Sequence, residues 1–141
     1  MPLTINLKPH EKLILNGVVI ENSGPMAKIL IHTNAALLRE KDVLSEEKAT
    51  TPARRIYFAI QCQYLFSGKG DLFFATIERQ MKEYAERRPE SAGALREIRG
   101  LLDDGQFYRA LKSAKLLIQA EEGAPSADAF SPGPGARLAL R

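Results

Sequence analysis

The sequence predicts an α+β fold, in which a small N-terminal antiparallel β module of about five strands precedes an antiparallel bundle of about four helices. Three observations predict it. Apolar residues alternate with period two from Leu3 to Leu7 and recur in short runs as far as Arg39. Asn16-Gly17 sits between two such runs, as a type I′ hairpin turn requires, because both of its central residues take positive φ. From Thr51-Pro52 onward the spacing becomes helical, with caps and breakers between segments.

The strands can be placed in order. Leu3, Ile5 and Leu7 alternate with Thr4, Asn6 and Lys8, and Pro9-His10 breaks the run. Residues 12–15 and 18–21 flank Asn16-Gly17, and Ser23-Gly24-Pro25 turns again. Residues 27–32 form a fourth strand with Ile29 and Ile31 on one face, and residues 36–39 form a fifth after the Thr33-Asn34 turn. Five short strands joined by tight turns suggest a meander or a small barrel.

The helices follow. Thr51 caps and Pro52 opens the first, which runs to Phe66 and stops at Ser67-Gly68. The second spans Asp71 to about Arg87 and is closed by Pro89. Ser91 caps the third, whose stripe is Leu95, Ile98, Leu101 and Leu102, and Gly105 ends it. The fourth runs from Gln106 to about Glu121, with Phe107, Ala110, Leu111, Ala114, Leu117 and Ile118 on one face. Short connections imply antiparallel neighbours. The chain thus divides into a β module (residues 1–48), a helical bundle (49–122) and a tail (123–141). The tail is rich in Gly, Ala, Pro and Ser, cannot build a core and is expected to be disordered.

Composition narrows the chemistry. Of 141 residues, 45% are hydrophobic and 26% charged, as in an ordinary soluble globular protein. The single cysteine, Cys62, excludes an internal disulfide and a cysteine-cluster metal site; it lies in an apolar run, where it acts as a small hydrophobe. No targeting segment is visible, and no apolar stretch approaches the roughly 20 residues of a membrane helix. A cytoplasmic protein without a membrane partner is expected. The net charge of +3 permits nucleic-acid binding without requiring it. Residues 1–48 carry six Lys or Arg against six Asp or Glu, so a nucleic-acid site there would be a local patch.

No catalytic, metal-binding or cofactor constellation emerges. His10 and His32 fall in different strands or turns without ligand spacing, and read as surface histidines. Gly68-Lys69-Gly70 lacks the length and the following Ser/Thr of a phosphate loop and reads as an inter-helix turn. Glu46-Glu47 and Asp103-Asp104 read as solvated surface.

Three features ask for more than folding. Arg54-Arg55 occupies a helix's first turn, where cations oppose the macrodipole; they either pair with acids such as Glu46 or Glu47, or contact a phosphate or an acidic partner. The first helix is apolar nearly all round, from Ile56, Tyr57 and Phe58 to Leu65 and Phe66. It is either a central helix between sheet and bundle or a partner interface to which Tyr57 contributes. Finally, the Leu38-Arg39-Glu40-Lys41-Asp42 run is either a solvated strand end or, if strands one and five pair, part of a patch with Lys8 for RNA phosphates and base edges.

Two segments resemble the FlbT family closely: Leu38-Arg39-Glu40-Lys41-Asp42-Val43-Leu44, and the eleven residues from Ala49 to Ala59 that contain Thr51-Pro52-Ala53-Arg54-Arg55-Ile56-Tyr57. The opening through Pro9, Glu11-Lys12, Asn16-Gly17 and the stretch from Gly105 to Leu111 are similar too, so the likeness covers about residues 1–122. One departure is His10, where the family usually has glycine before the glutamate. The resemblance implies a non-enzymatic, post-transcriptional regulator of flagellin synthesis. Such proteins associate with the 5′ untranslated region of flagellin messenger RNA and hold back translation, or promote decay, until the hook is complete; some relatives activate instead. A small companion, FlaF, belongs to the same circuit.

The N-terminal part is also similar to the CsrA family of RNA-binding regulators: a Leu-x-Ile strand, then Glu11-Lys12-Leu13, a hairpin, an Ile-rich strand and Leu-Arg-Glu. On that likeness Ile5 and Lys8 match first-strand RNA contacts and Arg39 matches the arginine after the last strand; independently of it, Lys41 of the charge run is expected to contact phosphate with Lys8 and Arg39. The implied protein partners are FlaF and flagellin, reached through the helices. A second copy of the chain is a further expected partner, because so short a β module gains stability by sharing its core.

Overall fold

The computed structural model describes residues 2–66 and 72–123. The fold is α+β, as expected. Five strands come first: β1 (Leu3–Leu7), β2 (Lys12–Leu15), β3 (Val18–Glu21), β4 (Ala27–Ile31) and β5 (Leu37–Arg39). Four α-helices follow: α1 (Pro52–Leu65), α2 (Phe74–Arg87), α3 (Ala92–Asp103) and α4 (Phe107–Glu121). Two short 3-10 turns, Glu40–Asp42 and Glu46–Lys48, link the two halves. The expected stop at Ser67-Gly68, the Gly68-Lys69-Gly70 turn, Asp71 and the tail beyond Gly123 lie outside the described residues.

The strands are not a meander. They form a two-stranded sheet, β1 with β4, and a three-stranded sheet in the order β3-β2-β5, all antiparallel. The first four strands are one long hairpin bent at a corner. Its tip is Asn16-Gly17, with φ of 53° and 85°, the left-handed pair that the turn demands. Its arms pair Lys12 with Glu21 before the corner and Leu7 with Ala27 after it. Residues 8–11 make the corner on one arm and 22–26 on the other, so the second arm carries the extra residue that bends the ribbon. The Asn22 amide clamps the corner, donating to the Leu7 and Pro25 carbonyls, each at 2.9 Å. His10 sits at φ 64°, in the left-handed region that favours glycine. This corner gives β1 to β4, and β5 lies against β2, so the strand-one, strand-five pairing on which a Lys8–Arg39 patch was conditional is absent.

Alternation puts Leu13 and Ile14 on opposite faces of β2. Ile14, with Leu38 of β5, joins the main core, which continues through α1 to the other helices. Leu13, Ile5 and Leu7 are buried outside that core cluster. α1 packs against α2 and α4, and α3 against α4. α1 is therefore a central helix, with nine of its residues buried. Thr51 caps it, accepting from the Arg54 N–H at 3.2 Å. Ser91 precedes α3 but does not cap it; its hydroxyl donates back to the Arg88 carbonyl at 2.6 Å. Cys62 is buried, which pushes its thiol up to about 11, with Glu46 adding to the effect.

α1 also carries a polar stripe at helical spacing, Tyr57, Gln61 and Tyr64, and it grips the main chain of residues 37–44. The Tyr57 hydroxyl donates to the Asp42 carbonyl at 2.6 Å. The Gln61 amide accepts from the Leu44 N–H and donates to the Leu44 carbonyl, both at 2.9 Å. The Tyr64 hydroxyl does the same for Leu37, again at 2.9 Å. Gln61 is fully buried, so its loss strands two main-chain groups. Gln61→Leu is expected to lower unfolding free energy by about 2–5 kcal/mol in urea titrations. A change near zero would mean that Leu44 finds other partners.

Candidate nucleic-acid interface

Arg39 ends β5 opposite Leu13. Its guanidinium Nη2 donates to the Asn6 carbonyl at 2.9 Å and to Glu11 Oε2 at 3.0 Å. It therefore bridges to β1 without strand pairing, and a third of its side chain stays exposed. The other oxygen of Glu11 accepts from the Lys8 N–H at 2.8 Å. Glu11 thus ties the Arg39 guanidinium to the main chain of Lys8. Burial raises the Glu11 carboxyl, but the Lys8 N–H, the Arg39 hydrogen bond and the charges of Arg39 and Lys8 outweigh it, holding the group below its ordinary 4.5.

Ile5 is only 4% exposed, so its side chain belongs to the interior and not to an open RNA surface. Tyr57 is likewise buried at 2% and spends its hydroxyl on Asp42. Burial, with the nearby Asp42 and Tyr108, pushes that hydroxyl far up, so it stays protonated. Tyr57 positions the 3-10 turn and, nearly closed to solvent, lines the cleft beside it.

Lys41 is exposed on that turn and lines a cleft of about 480 Å³ between the turn and α4. The cleft gathers four cations: Arg39, Lys41, Lys112 and Lys115. Its one acid is Asp42, 3.7 Å from Lys115 Nζ. Tyr108, 40% exposed, forms part of the wall, and Lys112 Nζ stands 5.2 Å from its ring centroid. Tyr108, Lys112, Lys115 and Gln119 share one stripe of α4, adjacent to the buried stripe of Ala110, Leu111, Ala114, Leu117 and Ile118. Sequence reasoning missed these residues because it followed only the apolar stripe; their own helical spacing was the available signal.

Arg54 and Arg55 are not part of the cleft. Arg54 pairs with Glu122, at the end of α4, and not with Glu46 or Glu47. The neighbouring Glu121 accepts from the Ala53 N–H at 3.2 Å. Antiparallel packing brings the carboxylates closing α4 to the start of α1, where the helix dipole favours them. Arg55 is exposed, reaches the Thr50 carbonyl at 3.5 Å, and lines a small depression of about 70 Å³ with Glu83, Tyr84 and Arg87. His10 and His32 are exposed. Among the described residues, no cluster of His, Cys, Asp or Glu could hold a metal ion, and no helix is long and apolar enough to cross a membrane.

The depressed Glu11 pKa has a consequence for acid stability. Such a group stabilises the fold above its unfolded pKa and ceases to do so as pH falls through its lower folded value. Thermal melts should show the wild type losing stability as pH drops below 4.5. Glu11→Gln should be less stable at neutral pH and show a shallower loss over that window. Superimposable profiles would mean that the Glu11–Arg39 tie contributes nothing.

The comparisons with known proteins agree on one family. A family model described as "Flagellar protein FlbT" matches residues 3–124. A probable flagellum biosynthesis repressor protein FlbT from Caulobacter sp. (strain K31) is 37% identical over 131 residues, covering 86% of this chain and 95% of the relative. The flagellum biosynthesis repressor protein FlbT of Caulobacter vibrioides (strain ATCC 19089 / CIP 103742 / CB 15) is 34% identical, covering 86% and 88%. A Bradyrhizobium diazoefficiens relative, probable flagellum biosynthesis repressor protein FlbT 1, is 37% identical over 123 residues, covering 86% and 84%. No solved structure gives a significant match. Matched over most of its length by the family model and by these relatives, the chain belongs to the FlbT family of flagellar proteins.

Proposed function

We propose that this protein is a non-enzymatic regulator that acts after transcription, binding the 5′ untranslated region of flagellin messenger RNA to repress translation or promote decay during flagellum assembly. The carrying observation is the cleft in which Arg39, Lys41, Lys112 and Lys115 face one acid across about 480 Å³. Relatives named as flagellum biosynthesis repressors supply the regulatory setting. Phosphates enter where the cations converge. Arg39, held by Asn6 and Glu11, offers fixed donors, and Lys41 and Lys112 add mobile point charges. Lys8 extends the charge along the ribbon corner. A leader bound this way is withheld from the ribosome. The site of action is the cytoplasm, where that messenger is translated.

A second reading, a protein-interaction adaptor, is favoured by the exposed apolar residues Leu3, Val18, Val19, Met26 and Leu30 on the β module. In that reading FlaF, flagellin or a second copy of the chain covers these residues, and messenger levels change indirectly or by activation. Binding assays with purified components and no RNA separate the two.

Lys41 and Lys112 are exposed, so neutralising both leaves the fold intact. The Lys41→Gln/Lys112→Gln variant should bind a flagellin leader RNA about tenfold more weakly than wild type. Its slope of log affinity against log salt should be shallower by about 1.4. Unchanged affinity and slope would remove the cleft from the mechanism.

A further inference from the structure

A second cavity, of about 580 Å³, opens on the other side of Tyr108. Its walls come from three places distant in sequence: the hairpin tip at Asn16, the loop at Asn34, and the α3–α4 turn with Gln106 and Arg109. Gly105, at φ 74°, makes the turn that starts α4 and sets Gln106 and Tyr108 at the rim. Tyr108 lines both cavities, so the two adjoin at this residue. The ring is anchored by Tyr64, whose own ring lies 5.9 Å away, tilted by 43°.

The two cavities differ in chemistry. The first holds four cations and suits phosphates. The second holds three carboxamides, Asn16, Asn34 and Gln106, and one cation, Arg109. Carboxamides carry both donors and acceptors, which match the edge of a nucleobase better than a phosphate. Asn16 Oδ1 already accepts from the Ala36 N–H at 2.9 Å, which leaves its amide hydrogens to donate. Arg109 can grip a guanine edge with two parallel hydrogen bonds.

The geometry points to a nucleobase-reading pocket formed by Asn16, Asn34, Gln106 and Arg109, with Tyr108 as the stacking platform between it and the phosphate cleft. This inference rests on the RNA-binding reading above and deepens it: single-stranded RNA crosses Tyr108, its backbone on the lysine side and a base on the amide side. Tyrosine stacking tolerates any base, whereas the amides and Arg109 select among them.

The test uses fluorescently labelled homopolymers of about eight nucleotides, oligo-A, oligo-C and oligo-U, with a G-containing oligo-U of the same length. Affinity is measured at several salt concentrations with the full chain. The wild type should prefer one of these RNAs. Tyr108→Ala should weaken all of them by about 5- to 100-fold, and Tyr108→Phe should restore most of that loss. Asn34→Ala/Gln106→Ala, both at exposed positions, should level the preferences and leave the salt slope unchanged. Lys112→Gln should do the reverse, lowering the slope and keeping the preference. If the wild type binds with a slope set by the lysines, yet Tyr108→Ala and Asn34→Ala/Gln106→Ala change neither affinity nor preference, the base pocket is overturned and the phosphate cleft stands. If the wild type binds none of these RNAs and no flagellin leader, the RNA reading fails, and the pocket with it.

Discussion

The polar stripe of α1 is the constraint on which the candidate site depends. Tyr57, Gln61 and Tyr64 leave the helix on one side and bind main-chain groups of Asp42, Leu44 and Leu37. The segment they hold contains a three-residue strand and a three-residue 3-10 turn, too little regular structure to fix itself. Leu38 pins it to the core from within. Held at both ends and in the middle, it presents Arg39 and Lys41 toward α4. A helix that is apolar nearly all round can carry such a stripe because every polar group on it is matched inside the fold.

That arrangement joins residues 38–44 to residues 49–59. Residues 38–44 carry the charges, and residues 49–59 supply the cap, the first turn of α1 and Tyr57. They are far from independent: the second builds the helix that positions the first. Arg54 fits the same logic. Its partner is Glu122, so it ties α1 to the end of α4, the helix that forms the opposite wall of the cleft. The cleft thus depends on a tertiary frame, with its cations drawn from both halves of the chain.

Local signals in the sequence carried the elements well. Asn16-Gly17, Thr51-Pro52 and the stripes of α3 and α4 each express a short-range rule, and each formed as expected. Pairing was harder. Nothing between Leu3 and Leu7 says whether the partner is β4 or β5; the answer lies in the Asn22 clamp and a corner with unequal arms. Burial was harder still. Ile5 and Tyr57 have the chemistry of contact residues, but their side chains face inward. The Arg54–Glu122 pair and the Tyr108–Lys112–Lys115 wall are products of α1 and α4 packing antiparallel and of α4 facing β5, relations that no local window contains.

In the proposed function the cleft and its Tyr108 rim, and not the Arg55 depression or the β edges, meet single-stranded RNA. The most direct measurement is an NMR titration of isotope-labelled protein with a short unstructured RNA. The largest shifts are expected at Lys41, Asn34, Gln106, Tyr108 and Lys112, with little change at Arg55, Glu83 and Arg87. Shifts confined to Arg55 and its neighbours, or to Val18, Val19 and Leu30, would contradict it.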